Sequence, residues 1–279
     1  IERDIKKIIS ELTLEEKASL CSGKDFWHTK AVERLNIPEI LVSDGPSGLR
    51  TQKHGENIEA DTITAISFPS GCAAASSFDR ELIRTEGEIL GEESNSQNVA
   101  VILGPAINIK RSPLCGRNFE YLSEDPYLTG EIGTAYVQGV QSKNVGTSLK
   151  HFAANNQEYN RLKDDSVVDE RTLHEIYLAG FEKVINDANP KTVMCSYNKL
   201  NGILASENKT LLTDILRDKW GYKGLVVSDW GSVSDRVEGI RAGLNLEMPG
   251  CGGVTDSYIV EAVKQGKLDE SKLDESVER

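Results

Sequence analysis

Val145-Gly146-Thr147-Ser148-Leu149 reads as a buried strand, and it runs straight into Lys150-His151-Phe152. A second run, Leu225 to Val227, ends the same way, in Ser228-Asp229-Trp230. Ionisable residues waiting where strands end are how an α/β barrel assembles its chemistry. Lys150 and His151 are hydrogen-bond donors to hydroxyls, and Asp229 is a carboxylate that can attack carbon or take a proton. That set suits a sugar.

Working outward, the same alternation recurs. Ile40-Leu41-Val42 is strand-like and stops at Ser43-Asp44. A weaker run, Ile63 to Phe68, stops at Pro69, and Val99 to Leu103 stops at Gly104-Pro105. Thr192 to Cys195 and a shorter candidate, Leu244 to Met248, follow. Between them lie amphipathic stripes: Leu82, Ile83, Ile89 and Leu90; Ile132, Ala135, Tyr136 and Val140; Leu173, Ile176, Tyr177, Phe181, Val184 and Ile185; Leu211, Leu212, Ile215 and Leu216. Their i, i+3, i+4 spacing is helical. Thr13 and Glu16 form a capping box ahead of Leu14 to Leu20. Strands separated by helices predict βαβ units and a parallel sheet, here a (β/α)8 TIM-like barrel, irregular or incomplete. An open doubly wound sheet is the rival, but no Gly-rich dinucleotide fingerprint follows the first strand. The polar stretch Gln52 to Asp61 reads as a loop.

The chain has 279 residues, 38% of them hydrophobic, enough for one large domain. Its net charge of −12 argues against nucleic acid, which needs basic patches. No apolar run is long enough for a membrane span. Five cysteines, widely spaced and without a CxxC pair, argue against a disulfide framework or a zinc site. A reducing, cytoplasmic setting fits, and no signal peptide is visible at Ile1. No metal or cofactor is expected. Leu273 and Val277 open an apolar stripe that stops at Arg279, which predicts a fragment or one half of a larger protein, with an exposed face open to self-association.

Each candidate residue also has a plain reading. Asp229 could be a helix N-cap, and Trp230 a core aromatic. Lys150 could snorkel to the rim. Alternation sends Lys150 and His151 to opposite faces, so both can reach one site only if the strand ends there. Asp44 and Arg50 flank a turn, Gly45-Pro46-Ser47-Gly48. Arg117 and Arg161 sit in polar loops, where a lone Arg is by default solvated. Tyr197 ends a strand and could bond a carboxylate. Glu120, Glu124 and Asp125 make an acidic loop, solvated or paired with a nearby Arg.

Taken together, these segments resemble glycoside hydrolase family 3 in its β-glucosidase branch, from about Leu12 to Val277. The resemblance is carried by Leu14-Glu15-Glu16-Lys17, Asp25-Phe26-Trp27-His28-Thr29, Ser43-Asp44-Gly45-Pro46-Ser47-Gly48-Leu49-Arg50 and Gly104-Pro105. Gly116-Arg117-Asn118-Phe119-Glu120-Tyr121, Ser123-Glu124-Asp125-Pro126 and Lys150-His151-Phe152 with Asn155-Asn156-Gln157-Glu158 continue it. Val193-Met194-Cys195-Ser196-Tyr197-Asn198, Ser228-Asp229-Trp230 and Glu247-Met248-Pro249 close it.

The resemblance implies roles. Asp229 matches the catalytic nucleophile. Asp44, Arg117, Lys150, His151, Arg161 and Tyr197 match the residues around the non-reducing-end sugar, Trp230 lines the entrance, and Arg50 lies beside the sugar loop. The implied activity is a retaining exo-β-glycosidase, a β-glucosidase, acting on β-linked oligosaccharides or aryl and alkyl β-glucosides. Such an enzyme needs a second carboxyl about 5–5.5 Å from the nucleophile. The flanking Arg and Lys are expected to lower the pKa of Asp229. In two-domain members the second carboxyl lies on a C-terminal α/β sandwich domain. In single-domain members an Asp-Ser-His loop supplies the acid, but here Asp164-Asp165-Ser166-Val167 lacks the His. The expectation is a barrel domain whose acid/base is on a missing sandwich domain. Two rivals remain: an inert carbohydrate-binding fragment, and a Schiff-base lyase using Lys150.

Overall fold

The computed structural model describes residues 4–53 and 61–279. Its main sheet takes β1 (Leu41–Ser43), β2 (Val99–Ile102) and β3 (Gly146–Phe152) in chain order. Past a short β4 (Asp165–Ser166) comes β5 (Thr192–Cys195). Past a hairpin, β6 (Lys199–Leu200) and β7 (Ile203–Leu204), comes β8 (Leu225–Val227). Helices α1 (Ile5–Glu11) and α2 (Leu14–Ser19) precede the sheet. Connecting the strands are α3 (Gly71–Ala75), α4 (Arg80–Ser96), α5 (Pro126–Gln141), and α6 (Glu170–Thr172), which passes through π-helical Leu173–Leu178 into α7 (Ala179–Ala188). A π-helical segment, Thr210–Lys219, leads to β8. Then follow α8 (Arg236–Ala242), α9 (Val254–Lys264) and α10 (Glu270–Glu278).

The sheet order is β1-β2-β3-β5-β8, parallel throughout. Order follows the chain without a reversal. A doubly wound sheet reverses at a switch point, so that rival is excluded. The result is a half-barrel of parallel strands, and eight parallel strands do not form among the described residues. Ile63–Phe68 is not a strand: Ile63 N–H donates to Thr51 O, Phe68 N–H to Ser47 O and Ile66 N–H to a Glu93 carboxylate, so its hydrogen bonds go to loops and a helix. Leu244–Met248 makes only isolated bridges, Leu246 with Val227 and Glu247 with Ser22. Antiparallel bridges Gly23–Thr29 and His28–Leu41 lead on to β1. The expected polar loop at Gln52–Asp61 lies mostly outside the described residues.

The strands read as continuous apolar runs because both faces are covered. Val42, Val101, Met194 and Val227 meet Leu246, Met248 and Trp27 in an inner cluster. Leu149, Phe152, Val193, Cys195 and Val226 instead join the helices, where Phe152 packs on Phe181 at 5.2 Å and on Trp220 at 5.8 Å. The capping box holds: Glu16 N–H donates to Thr13 Oγ1 and Thr13 N–H to Glu16 Oε2. Asp125, expected in an acidic loop, caps α5 through Leu128 N–H, with Pro126 at the first helical position. α4 and α5 approach closely where a Cβ on Gly139 would lie 2.2 Å from Arg84 O. All five cysteines are free. No helix among the described residues is long and apolar enough to cross a membrane.

Candidate active site

The strands end on one side, and the candidate residues gather there. Asp44 follows β1 directly, Lys150 and His151 lie within β3, Tyr197 stands two residues past β5, and Asp229 two past β8. The loop after β2 brings Arg117. All nine residues singled out in the sequence, Asp44, Arg50, Arg117, Lys150, His151, Arg161, Tyr197, Asp229 and Trp230, line one cavity of about 140 Å³. Phe26, Trp27, Leu103 and Met194 complete the lining. Leu103 and Met194 carried no polar signal. Phe26-Trp27 belonged to a quoted motif but was given no role.

β3 does not stop before Lys150, as the alternation argument required; it runs through Phe152, and the Lys150–His151 peptide is cis. Both side chains line the cavity all the same.

The charges are tied into a chain. Lys150 Nζ lies 3.0 Å from Asp44 Oδ1, and Arg50 Nη2 lies 3.2 Å from Asp44 Oδ2. Lys150 also approaches Glu120 Oε2 at 3.9 Å, and Glu120 Oε1 accepts from Arg117 Nε at 2.5 Å. Of the two expectations for Glu120, pairing with Arg holds and solvation does not, for its side chain is only 5% exposed. Burial pushes the Asp44 carboxyl up, but Lys150 and Arg50 outweigh it and hold the group below its usual range. Arg161 donates to Glu158 at 2.7 Å and lies over the Tyr197 ring, 4.4 Å from its centroid.

Asp229 stands apart. One oxygen, Oδ1, accepts from Trp230 N–H at 2.8 Å. The other, Oδ2, is buried with no hydrogen-bond partner and faces His151 Nε2 at 3.7 Å. Burial raises the pKa of Asp229, and although Arg117, Lys150 and Trp230 N–H pull it down, the balance stays above the usual value. The expected net lowering is therefore corrected: desolvation wins over the cations. His151 goes the other way. Burial, then Arg117, Lys150 and Arg161, hold its pKa well below the ordinary value, so the ring is neutral.

The walls are stiff. Tyr197 O–H donates to Trp230 O at 3.0 Å and so steadies the backbone that carries Asp229. Trp230 Nε1–H donates to Phe26 O at 2.9 Å, and Trp27 Nε1–H to Gln52 Oε1 at 2.7 Å. The two indoles lie 5.6 Å apart and give the polar cavity an apolar flank. An apolar flank beside clustered hydroxyl-binding groups is how a pocket takes a sugar ring.

The glycosyl hydrolase family 3 N-terminal domain model matches residues 13–279. Thermostable β-glucosidase B of Acetivibrio thermocellus is 59% identical over 278 residues, 99% of this chain but 37% of that protein. An exo-α-(1→6)-L-arabinopyranosidase of Bifidobacterium breve is 52% identical over 95% of this chain and 35% of its own length. The solved structure of β-glucosidase 3B from Thermotoga neapolitana, in complex with α-D-glucose, superposes with a TM-score of 0.94 at 43% identity, covering 99% of this chain and 42% of that one. The chain thus spans well under half the length of the relatives it matches. It belongs to glycosyl hydrolase family 3 and corresponds to that family's N-terminal domain.

Proposed function

We propose that this chain is the sugar-gripping, nucleophile-bearing part of a retaining, exo-acting β-glucosidase. Its substrates are terminal, non-reducing β-D-glucosyl units of β-linked oligosaccharides and of aryl or alkyl β-glucosides. The bare Oδ2 of Asp229, buried at a cavity where every neighbouring cation among the described residues is already paired, carries this reading. Asp229 attacks the anomeric carbon, the glycosidic bond breaks, and a covalent glycosyl ester forms. Asp44, Lys150, Arg50 and Arg161 hold the outer hydroxyls, and Leu103 and Met194 complete the lining.

Departure of the leaving group needs a proton, and water must later be activated by the same group. Among the described residues Asp44, the other carboxylate of the cavity lining, is held ionised by Lys150 and Arg50, and Glu120 is bound to Arg117. Neither suits the acid's task. The greater length of the relatives supports placing the acid/base on a second domain. A Schiff-base role for Lys150 fits poorly, since its Nζ is salt-bridged to Asp44.

A dinitrophenyl 2-deoxy-2-fluoro-β-glucoside tests the proposal, because its leaving group departs unprotonated. Intact mass is expected to show one sugar added, on Asp229, and none in Asp229→Asn. Binding without labelling would favour an inert carbohydrate-binding domain. Labelling elsewhere would refute the assignment. The matching xyloside, galactoside and α-L-arabinopyranoside, the last prompted by the Bifidobacterium breve relative, rank the sugars.

A further inference from the structure

His151 touches Asn108 three times. Asn108 Oδ1 accepts from His151 backbone N–H at 2.9 Å, and Asn108 Nδ2 donates to His151 backbone O at 2.8 Å. A backbone N–H can only donate and a backbone carbonyl can only accept. Flipping the amide would set donor on donor and acceptor on acceptor, so its orientation is fixed. The third contact is His151 Nδ1 to that same Oδ1, at 3.2 Å. Facing a carbonyl oxygen, Nδ1 must carry a proton. The ring is buried, with Arg117, Lys150 and Arg161 around it and Tyr121 edge-on at 6.2 Å, a setting that keeps it uncharged. A neutral ring has one N–H, so Nε2 presents a lone pair.

We propose that Asn108 is a positioning residue that fixes His151 as the Nδ1–H tautomer, so that Nε2 meets the ligand as an acceptor. Nε2 faces Asp229 Oδ2 at 3.7 Å, and a lone pair there meets a carboxylate oxygen that itself has no donor. A lone pair on Nε2 calls for a donor, and a ligand hydroxyl that reaches it supplies the proton while Oδ2 stays free. This reverses the expectation that His151 donates. The tautomer stands on the Asn108 contacts and on the burial and cations that keep the ring neutral; its use by a sugar hydroxyl rests on the β-glucosidase reading.

The tautomer is read by ¹⁵N-histidine labelling and long-range ¹H–¹⁵N correlation, with His151 identified by signal loss in His151→Gln. A protonated Nδ1 and bare Nε2 are expected from about pH 8 to about pH 6, across the range where an ordinary histidine charges. A bare Nδ1, or an imidazolium in that range, overturns the proposal. Asn108→Leu removes the acceptor and is expected to populate Nε2–H; an unchanged tautomer overturns the role of Asn108. Should that variant fail to fold, Asn108→Asp keeps the acceptor and adds a negative charge. It is expected to retain Nδ1–H and to shift ring protonation to higher pH, and titration identical to wild type overturns the proposal. Added glucose is expected to move the Nε2 resonance far more than Nδ1. Glucose that binds without moving it, or does not bind at all, sinks the hydroxyl contact; the second outcome also counts against the β-glucosidase reading, and neither alters the tautomer result.

Discussion

Glu86 lies mid-helix in α4, half-buried, against a small apolar cavity lined by Ile83, Leu122, Ile132 and Tyr136. It makes no ion pair among the described residues. Burial alone pushes its carboxyl up to about 7 from the ordinary 4.5. Between those two values the folded chain holds a proton that the unfolded chain has lost. Stability from Glu86 is therefore fully present below about pH 4.5 and drains away as pH rises through about 7. Taken at face value the gap of about 2.5 pKa units is about 3.4 kcal/mol at 1.36 kcal/mol per unit. Partial exposure screens it, leaving roughly 1–2 kcal/mol. Glu86→Gln removes the ionisation and keeps the shape. Above about pH 8 the variant should be more stable than wild type by about 1–2 kcal/mol, or roughly 2–8 °C in Tm. Near pH 4 the two should coincide. Urea titration at both pH values reads the difference. Equal stability at high pH, or a gain that persists at low pH, refutes the reasoning.

Three further outcomes follow from named contacts. Asp229→Asn should lose covalent labelling yet gain thermal stability at neutral pH, because the raised carboxyl of Asp229 contributes stability only while protonated; a variant less stable than wild type across a pH series would count against the raised pKa. Glu120→Gln leaves Arg117 partly unpaired beside Lys150, and breaking a buried pair of this kind costs about 3–5 kcal/mol by urea denaturation. A cost within error of zero would mean the pair is solvated after all. Gly139→Ala should lose about 1–3 kcal/mol from the clash with Arg84 O, despite the better helix propensity of alanine, and a neutral result would contradict the close α4–α5 approach.

Much of this was legible from residue order, for physical reasons. A strand buried on both faces writes itself as a short apolar run, which is why Leu225–Val227 and Thr192–Cys195 were found within a residue. Thr13 and Glu16 announce their helix because a capping box is local. Local patterns fail where partners are distant. Ile63–Phe68 has strand-like composition but no neighbouring strand to pair with. Asp125 looks acidic and solvated until Pro126 is recognised as a helix start. The residues that line the candidate cavity were visible as polar groups at or beyond strand ends. Their electrostatics were not, because whether burial or Arg117 governs Asp229 depends on depth, and depth is not written in the chain. Asn108 carried no signal at all; its role exists only once the segment after β2 lies against β3.

On the proposed mechanism, the charge arrangement leaves one carboxylate among several free to react. Around the cavity stand four cations, Arg50, Arg117, Lys150 and Arg161, and four carboxylates, Asp44, Glu120, Glu158 and Asp229. Asp44 takes Arg50 and Lys150, Glu120 takes Arg117, and Glu158 takes Arg161, each at 3.2 Å or less. Among the described residues that leaves Asp229 without a close cation, beside a histidine held neutral. A carboxylate in a short ion pair spends its lone pairs on the partner and is a poor nucleophile. Asp229 instead feels Arg117 and Lys150 only at longer range, enough to oppose burial without capping Oδ2. Pairing the other three acids is what keeps this one free. The same logic predicts that a new cation beside it, as in His151→Lys, would lower the pKa of Asp229 while slowing its attack on the fluoroglucoside. Labelling rates followed over a pH series separate the two effects, and faster labelling with an unchanged pH midpoint would refute the account.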